Sequence, residues 1–265
     1  MFGLLRLYNS EAITELVHLR YLACPFDDGL VQSICNLWNL QVLVIHDGRP
    51  RGLFMTTLSI PWEVLNMPRL RYIHTKNLWL SIPPPISQIT ERENHLQTLT
   101  VLMPSSCTDE VFLRIANLKK LGILLVDDSV IAKKCYCLDN LVHLTQLEKF
   151  KVEIKEGYIF LRLCTSTYLQ WEDMIILRKL PNLEVLKLKD HAFHEQIWDL
   201  SDEDLEHLVL TECYYLDQIP LDFVEIQTLQ LIELHKCKLS VIASAKQIQS
   251  LGYDDLVVHV NYVGE

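Results

Sequence analysis

Glycine is scarce. The chain holds 8 glycines and 10 prolines in 265 residues, which excludes collagen-like and glycine-rich linker classes. Long apolar runs are missing too: no stretch reaches the roughly 18 uninterrupted apolar residues of a membrane span. Charged residues make up only 22% of the chain, against 49% apolar residues. A chain this apolar has ample hydrophobic surface to offset its ordering entropy, so disorder is excluded. The net charge of −10 argues against nucleic acid as a partner, since that requires phosphate neutralisation. The opening residues, MFGLLRLYNS, have neither a basic stretch nor a small-residue cleavage site, so they do not read as a secretory signal. No Asn is followed by x-Ser/Thr, so the sequence contains no N-glycosylation acceptor.

Signatures of catalysis and of cofactors are lacking as well. There is no G-x-S-x-G, no H-E-x-x-H and no phosphate-cradling G-x-x-x-x-G-K-[ST] loop. The 10 histidines are scattered, and no carboxylate pair falls where a pocket is expected. An enzyme is not expected, nor is a bound cofactor. The 8 cysteines stand at 24, 35, 107, 135, 137, 164, 213 and 237. None forms a C-x-x-C pair, and Cys135-x-Cys137 is spaced too closely for a zinc knuckle. A long chain without a signal does not suit a disulfide framework. The expectation is therefore buried thiols, no metal, and a reduced cytoplasmic setting.

What is abundant is leucine, at 48 of 265 positions, and it recurs in a fixed pattern. The motif L-x-x-L-x-L-x-x-(N/C) appears with aliphatic substitutions as Leu19-Leu22-Cys24, Leu40-Leu43-Ile45, Leu70-Ile73-Thr75, Leu96-Leu99-Val101 and Leu121-Leu124-Val126. It continues as Leu147-Phe150-Val152, Leu183-Leu186-Leu188, Leu205-Leu208-Leu210 and Leu229-Ile232-Leu234. The second anchors are separated by 21, 30, 26, 25, 26, 36, 22 and 24 residues, mostly within the range of leucine-rich repeats. Leu4 to Leu7 is a candidate remnant of one more unit. The long steps predict insertions around residues 49–52 and 157–171.

The spacing has a mechanical reason. Second and third anchors lie two residues apart, so they point to one side of a short strand. Stacked units lay these strands into a parallel sheet with a continuous aliphatic interior. Leu16, Leu37, Met67, Leu118, Leu144 and Leu180 add a further apolar residue three positions before the first anchor. Asn36, Asn66, Asn117 and Asn140 mark turns beside that part of the unit. Ile60-Pro61, Ile82 to Pro85 and Ile219-Pro220 mark returns between strands, where proline is tolerated and a helix interior is not. Glu110–Asn117 and Glu172–Leu180 have helical spacing. The expected fold is α/β: a leucine-rich-repeat solenoid (horseshoe) with a parallel concave sheet and an irregular or short-helical convex side. Residues 1–265 are expected to form a single domain of about nine to ten repeats.

Residues between the anchors face the concave side. The candidate partner-binding residues there are Tyr21, His46, Tyr72, His74, Lys149, Lys151, Lys187, Lys189, His207 and His235. Ala23, Pro25, Val42, Val44, Leu102, Ile123, Val185 and Val209 share that parity. The early units are apolar and aromatic, whereas the sixth and seventh place four lysines on adjacent strands. Like charges that close are unfavourable without an offsetting partner, so an acidic protein surface is the expected ligand. The acidic run Asp199, Asp202, Glu203, Asp204 and Glu206 lacks the glycine of a calcium loop and reads as a solvated turn. Cys213 and Cys237, 24 residues apart, occupy the ninth motif position and are expected to face the turn backbone.

Several stretches carry a family resemblance. Leu216-Asp217-Gln218-Ile219-Pro220-Leu221-Asp222-Phe223, followed by Ile226 to Leu234 and Cys237, resembles the C-terminal repeats of plant intracellular nucleotide-binding, leucine-rich-repeat immune receptors. Leu180-Pro181-Asn182-Leu183-Glu184-Val185-Leu186-Lys187-Leu188, with Ala192-Phe193 and Trp198, is similar to the preceding repeat of that family. His95 to Leu99, Ser106-Cys107-Thr108 and Asn117 to Ile123 look closest to the solanaceous late-blight-resistance type with a coiled-coil N-terminus. Ala243 to Lys246 and Leu256 to Val260 match the end of such proteins.

The resemblance implies a protein-interaction module of a disease-resistance receptor. Its partners would be a pathogen effector or a guarded host protein. The nucleotide-binding domain of its own parent receptor would be a further partner, through autoinhibition in defence and the hypersensitive response. That nucleotide-binding domain is absent here. Ile45-His46-Asp47 resembles the family's Met-His-Asp nucleotide sensor but falls on a repeat strand, so nucleotide binding does not carry over. The chain then corresponds to the sensor part alone. Phe2, Leu4, Leu5 and Leu7 would present an apolar edge that makes the isolated domain poorly soluble. The alternative function is the substrate-recruiting repeat domain of an F-box-type ubiquitin-ligase adaptor, for which Met1–Leu19 is too short to supply the F-box helices. A receptor ectodomain is opposed by the missing sequons and signal.

Overall fold

The computed structural model describes residues 13, 15–25, 33–46, 58–75, 78–81, 83–85, 94–126, 138–155, 177, 179–189, 205–214, 216–252 and 255–261. The chain divides into two compact units, Met1–Leu121 and Gly122–Glu265. Both are built from parallel strands taken in chain order, which is what leucine-rich repeats produce when each unit contributes one strand.

In the first unit the strands are β1 (Tyr21–Pro25), β2 (Val42–His46), β3 (Leu58–Ile60), β4 (Tyr72–His74), β5 (Leu78–Leu80) and β6 (Thr98–Leu102). Strands β1, β2, β4 and β6 are neighbours in that order. Their register sets Leu22 opposite Leu43, Leu43 opposite Ile73, and Ile73 opposite Leu99. The second anchors of four successive motifs therefore form one row, and all four are buried. A short second sheet pairs β3 with β5, Leu58 opposite Leu78 and Ile60 opposite Leu80. It lies in the returns between repeat strands, beside Pro61 and Pro83 to Pro85, where the prolines predict irregular backbone.

The second unit carries β7 (Lys120–Val126, which starts in the first unit), β8 (Lys149–Lys155), β9 (Val185–Lys189), β10 (His207–Thr211), β11 (Leu231–His235) and β12 (Val257–Asn261). Phe150, Leu186, Leu208, Ile232 and Val258 stand opposite one another in turn. Val152, Leu188, Leu210, Leu234 and Val260 form the parallel row of third anchors. Strand β12 is a further rung beyond the nine motifs.

A backbone ladder fixes this register. At seven strands the carbonyl just before the strand accepts two N–H groups from the next rung. Arg20 accepts from Gln41 and Val42, Gln41 from Arg71 and Tyr72, and Arg71 from Gln97 and Thr98, all at 2.8–3.1 Å. In the second unit Glu148 serves Glu184 and Val185, Glu184 serves Glu206 and His207, and Glu206 serves Gln230 and Leu231. Side chains reinforce it. Asn39 donates to the Val17 carbonyl at 2.6 Å, Asn182 to Thr145 at 2.7 Å, and the Thr228 hydroxyl to Leu205 at 3.0 Å. Each sits one residue before a first anchor, so each satisfies a carbonyl of the preceding rung that the strand ladder cannot reach.

The approach to five of the strands follows a second rule. The first anchors Leu40, Leu70, Leu147, Leu183 and Leu229 donate their N–H to residues 37, 67, 144, 180 and 226. Those residues donate in turn to Ile34, Val64, Leu141, Leu177 and Phe223. Successive i→i+3 turns point every third side chain inward. The apolar repeat thus begins six residues before the first anchor, and Ile34, Leu37, Leu40, Leu43 and Ile45 are all buried. The same holds for Leu177, Leu180, Leu183, Leu186 and Leu188. Leu16 is an exception to the expected pattern: it is 53% exposed.

Proline enters as expected at returns, with a defined role. Pro61 and Pro220 immediately precede the 3-10 turns Trp62–Asn66 and Leu221–Glu225, in extended backbone. Their fixed φ suits the turn entry, where no N–H is required. Two α-helices are described. Helix α1 (Asp109–Arg114) starts at Thr108, whose hydroxyl accepts from the Val111 N–H, and it occupies the core of the expected 110–117 segment. The Arg114 guanidinium donates to the Glu110 and Pro84 carbonyls and lies 5.2 Å from the centre of the Trp62 ring. Helix α2 (Leu239–Leu251) buries Val241, Ile242, Ala245 and Ile248. It ends at Gly252, where a Cβ would stand 2.9 Å from the Ile248 carbonyl oxygen. Most of the expected helix at 172–180 lies outside the described residues, as do Leu4 to Leu7, both insertions, and Asp199 to Asp204.

Candidate protein-binding faces

Strand alternation sorts side chains onto a core side and an open side. On the open side of the first unit, Tyr21, Val42, Tyr72 and Thr98 stand in one row, and Ala23, Val44 and His74 in the next. Tyr21 is 59% exposed, His46 is exposed, and Tyr72 and His74 are half-buried. The Tyr72 and His74 rings stack with centroids 6.4 Å apart and an 18° interplanar angle. Among the described residues this is an apolar, aromatic surface whose ionisable members are tyrosines and histidines.

The open side of the second unit is charged. Its rows read Lys149, Val185, His207, Leu231, Val257; then Lys151, Lys187, Val209, Glu233, His259; then Glu153, Lys189, Thr211, His235, Asn261. The structure brings the four lysines together on β8 and β9, and with them a carboxylate. Glu153 lies 2.7 Å from the Lys151 ammonium and 3.5 Å from that of Lys189. The patch is thus not purely positive: an offsetting charge is built into it. Lys149 and Lys187 make no ion pair among the described residues, and Lys187 is exposed. On β11, His235 contacts Glu233 at 3.2 Å through Nε2 and Asn261 at 3.1 Å through Nδ1. His207 borders a groove lined also by Gln230, Leu231, Asp255, Val257 and His259.

Four residues expected on the open face are not available there. Leu102 is fully buried and Val101 only half-buried: the alternation of β6 breaks after Thr100. Ile123, Val185 and Val209 keep open-face parity yet are 9% exposed or less. At Val185 the reason is visible in the register, since Lys149 and His207 stand directly on either side. Among the third anchors, Thr75 is buried as expected, but its hydroxyl makes no hydrogen bond. Its backbone N–H and carbonyl are both held by Thr100 Oγ1, at 3.2 and 3.3 Å.

The cysteines behave as backbone-facing thiols. Cys213 Sγ donates toward the Leu188 and Thr211 carbonyls, and Cys237 Sγ toward Leu210 and His235, all at 3.6 Å. Each follows a residue in left-handed backbone, Glu212 (φ 57°) and Lys236 (φ 52°), which turns the chain after its strand. Those two residues are joined by a 2.7 Å ion pair. Burial raises the Cys237 pKa, and burial reinforced by Glu63 raises that of Cys35 to about 11. Such thiols are poor nucleophiles at neutral pH. Glu153, Glu233 and Asn261 are the members of the second face whose contacts the sequence reading missed. The first two were visible in the i, i+2 spacing of Lys151-x-Glu153 and Glu233-x-His235.

Rungs of parallel strand, each fed by i→i+3 turns, with aliphatic anchors in register, define a leucine-rich-repeat protein. The sequence is similar to Late blight resistance protein R1-A of Solanum demissum, at 28% identity over 94% of this chain and 22% of that protein. It is also similar to the putative late blight resistance protein homolog R1B-23 of the same species, at 28% identity over 91% of this chain and 22% of that protein. The chain therefore spans about a fifth of the length of these curated relatives. No family model matches the sequence. Among solved structures, the chain resembles one titled as a TLR13–ssRNA13 complex, with TM-score 0.50, 18% identity, and coverage of 96% of this chain and 34% of that one. That likeness concerns the fold alone.

Proposed function

We propose that the chain is the partner-recognition module of a plant disease-resistance receptor. It recognises a pathogen effector, directly or through a guarded host protein, and it contributes to holding its parent receptor inactive through the parent's nucleotide-binding domain. The supporting observation is the combination of late-blight-resistance similarity along more than nine-tenths of the chain with a repeat fold that leaves Tyr21, His46 and Lys187 exposed on its open side. Tyr21, His46, Tyr72 and His74 supply an aromatic contact surface, and Lys149, Lys151, Lys187, Lys189, His207 and His235 a charged one. On this reading residues 1–265 are one leucine-rich-repeat domain acting in the cytoplasm by binding, with no catalytic step. Among the described residues no helix is long and apolar enough to cross a membrane.

The test is genetic. The encoding sequence is deleted in the source plant, which is then challenged with pathogen. The unaltered sequence is reintroduced in parallel with one carrying Tyr21→Ala, Tyr72→Ala, Lys149→Glu and Lys187→Glu. Resistance should be lost on deletion, restored by the first and not by the second. Unchanged resistance on deletion, or equal rescue by both, would overturn the reading.

A further inference from the structure

The lysine patch of the second unit contains a small working copy of an ion-binding arrangement. The Glu153 carboxylate bridges Lys151 on its own strand and Lys189 on the next, and its side chain is only 13% exposed. One carboxylate held between adjacent strands by two ammonium groups is therefore a geometry this sheet supports. Lys149 and Lys187 repeat the same diagonal relation one step along the sheet. Lys149 stands opposite Val185, and Lys187 lies two residues beyond Val185 on β9. Diagonal neighbours in a sheet are about 7–8 Å apart, within reach of two lysine side chains closing on one group. No carboxylate of the described residues occupies that second place: the position equivalent to Glu153, opposite Lys187, holds Lys151. The five charges sum to +3 on a chain whose net charge is −10.

From these observations we infer that Lys149 and Lys187 bind a carboxylate of a partner protein, presented by an extended acidic segment. The inference rests on the partner-recognition reading above and names the partner's chemistry. Alternate residues of an extended strand project about 6.7 Å apart on one side, so a segment with Asp or Glu at every second position can follow the lysines along the sheet. Its first carboxylate would sit between Lys149 and Lys187, and its next would compete with Glu153 for Lys151 and Lys189. Glu153 thereby limits how much acidic charge the face accepts. A nucleic acid fits less well. Its dense negative charge is repelled by the acidic chain as a whole.

The experiment titrates the full 265-residue chain against a fluorescent ten-residue peptide of alternating Glu and Thr, read by anisotropy at 50 mM salt. The control peptide alternates Gln and Thr. An oligothymidylate and phosphatidylserine vesicles serve as competing anions. The expected result is binding to the Glu peptide alone, weakened at least tenfold by Lys149→Gln with Lys187→Gln and unchanged by Lys246→Gln on exposed surface of α2. Glu153→Gln should tighten binding several-fold, because it removes the carboxylate that competes for Lys151 and Lys189. Circular dichroism confirms that each variant is folded, and Lys187→Gln alone, at an exposed position, serves if the double variant is not. The proposal is overturned by equal binding of the Gln peptide, by full affinity in the folded lysine variants, by weaker binding after Glu153→Gln, or by preference for oligothymidylate or vesicles. Such a failure leaves the disease-resistance reading in place, since pathogen challenge decides that separately.

Discussion

Thr75 offers a sensitive check on the packing. It occupies a third-anchor position that other rungs fill with Cys24, Ile45, Leu188 or Leu210, and it is 1% exposed. Its hydroxyl has no hydrogen-bond partner, because Thr100 Oγ1 is spent on the Thr75 backbone at 3.2 and 3.3 Å. A buried hydroxyl left unpaired costs roughly 1–3 kcal/mol. Thr75→Val keeps the shape and removes the unpaired group, so it should stabilise the first unit by about 1–2 kcal/mol. Thr75→Ser keeps the hydroxyl and removes a buried methyl, so it should destabilise by about 1 kcal/mol. Denaturant melts followed by circular dichroism read both changes as midpoint shifts at constant slope. A Thr75→Val protein that is unchanged or less stable would refute the reasoning, since the hydroxyl would then have a partner worth keeping.

Three further outcomes follow from the same geometry. Leu186→Ala should cost about 2–5 kcal/mol as a buried anchor, whereas its exposed neighbour Lys187→Ala should cost about 0.5 kcal/mol or less; thermal melts of the pair separate core side from open side. Asn182→Ala removes the 2.7 Å bond to the Thr145 carbonyl and should cost on the order of 1 kcal/mol, measured the same way. Cys35 gives a pH signature: its folded pKa of about 11 lies above its ordinary 9.0. Its contribution is therefore complete below pH 9 and lost as pH rises through 11. The stability of wild type relative to Cys35→Ser, measured from pH 8 to 11, should fall across that window, and a flat difference would contradict the burial argument.

Much of the fold was legible because the repeat is carried by side chains that must be buried. Each second anchor from Leu22 to Ile232 lies on a strand at the expected position, and the two-residue spacing to the third anchor decides which side faces the core. What stayed hidden depends on less redundant signals. The rung at β12 has Asp255 where a first anchor belongs, so the motif does not register there although Val258 and Val260 continue the rows. Helix α2 has a short apolar pattern that reads equally as a tail. The β3–β5 pair uses three-residue strands, too short for a period to show. At β6 the parity change after Thr100 sends Leu102 inward, and one residue of slip moves a side chain to the opposite face. On the charged face, the grouping of the lysines followed from the spacing. The pairing of Glu153 with two of them required side-chain geometry.

A stack of rungs holds together only if successive anchors form one shared interior row. A double-mutant cycle on Leu186→Ala and Leu208→Ala, which stand opposite each other on β9 and β10, measures that directly. Contacting core residues should show a coupling energy of about 0.5–3 kcal/mol in urea unfolding. Losses that simply add would contradict the stacked-rung arrangement.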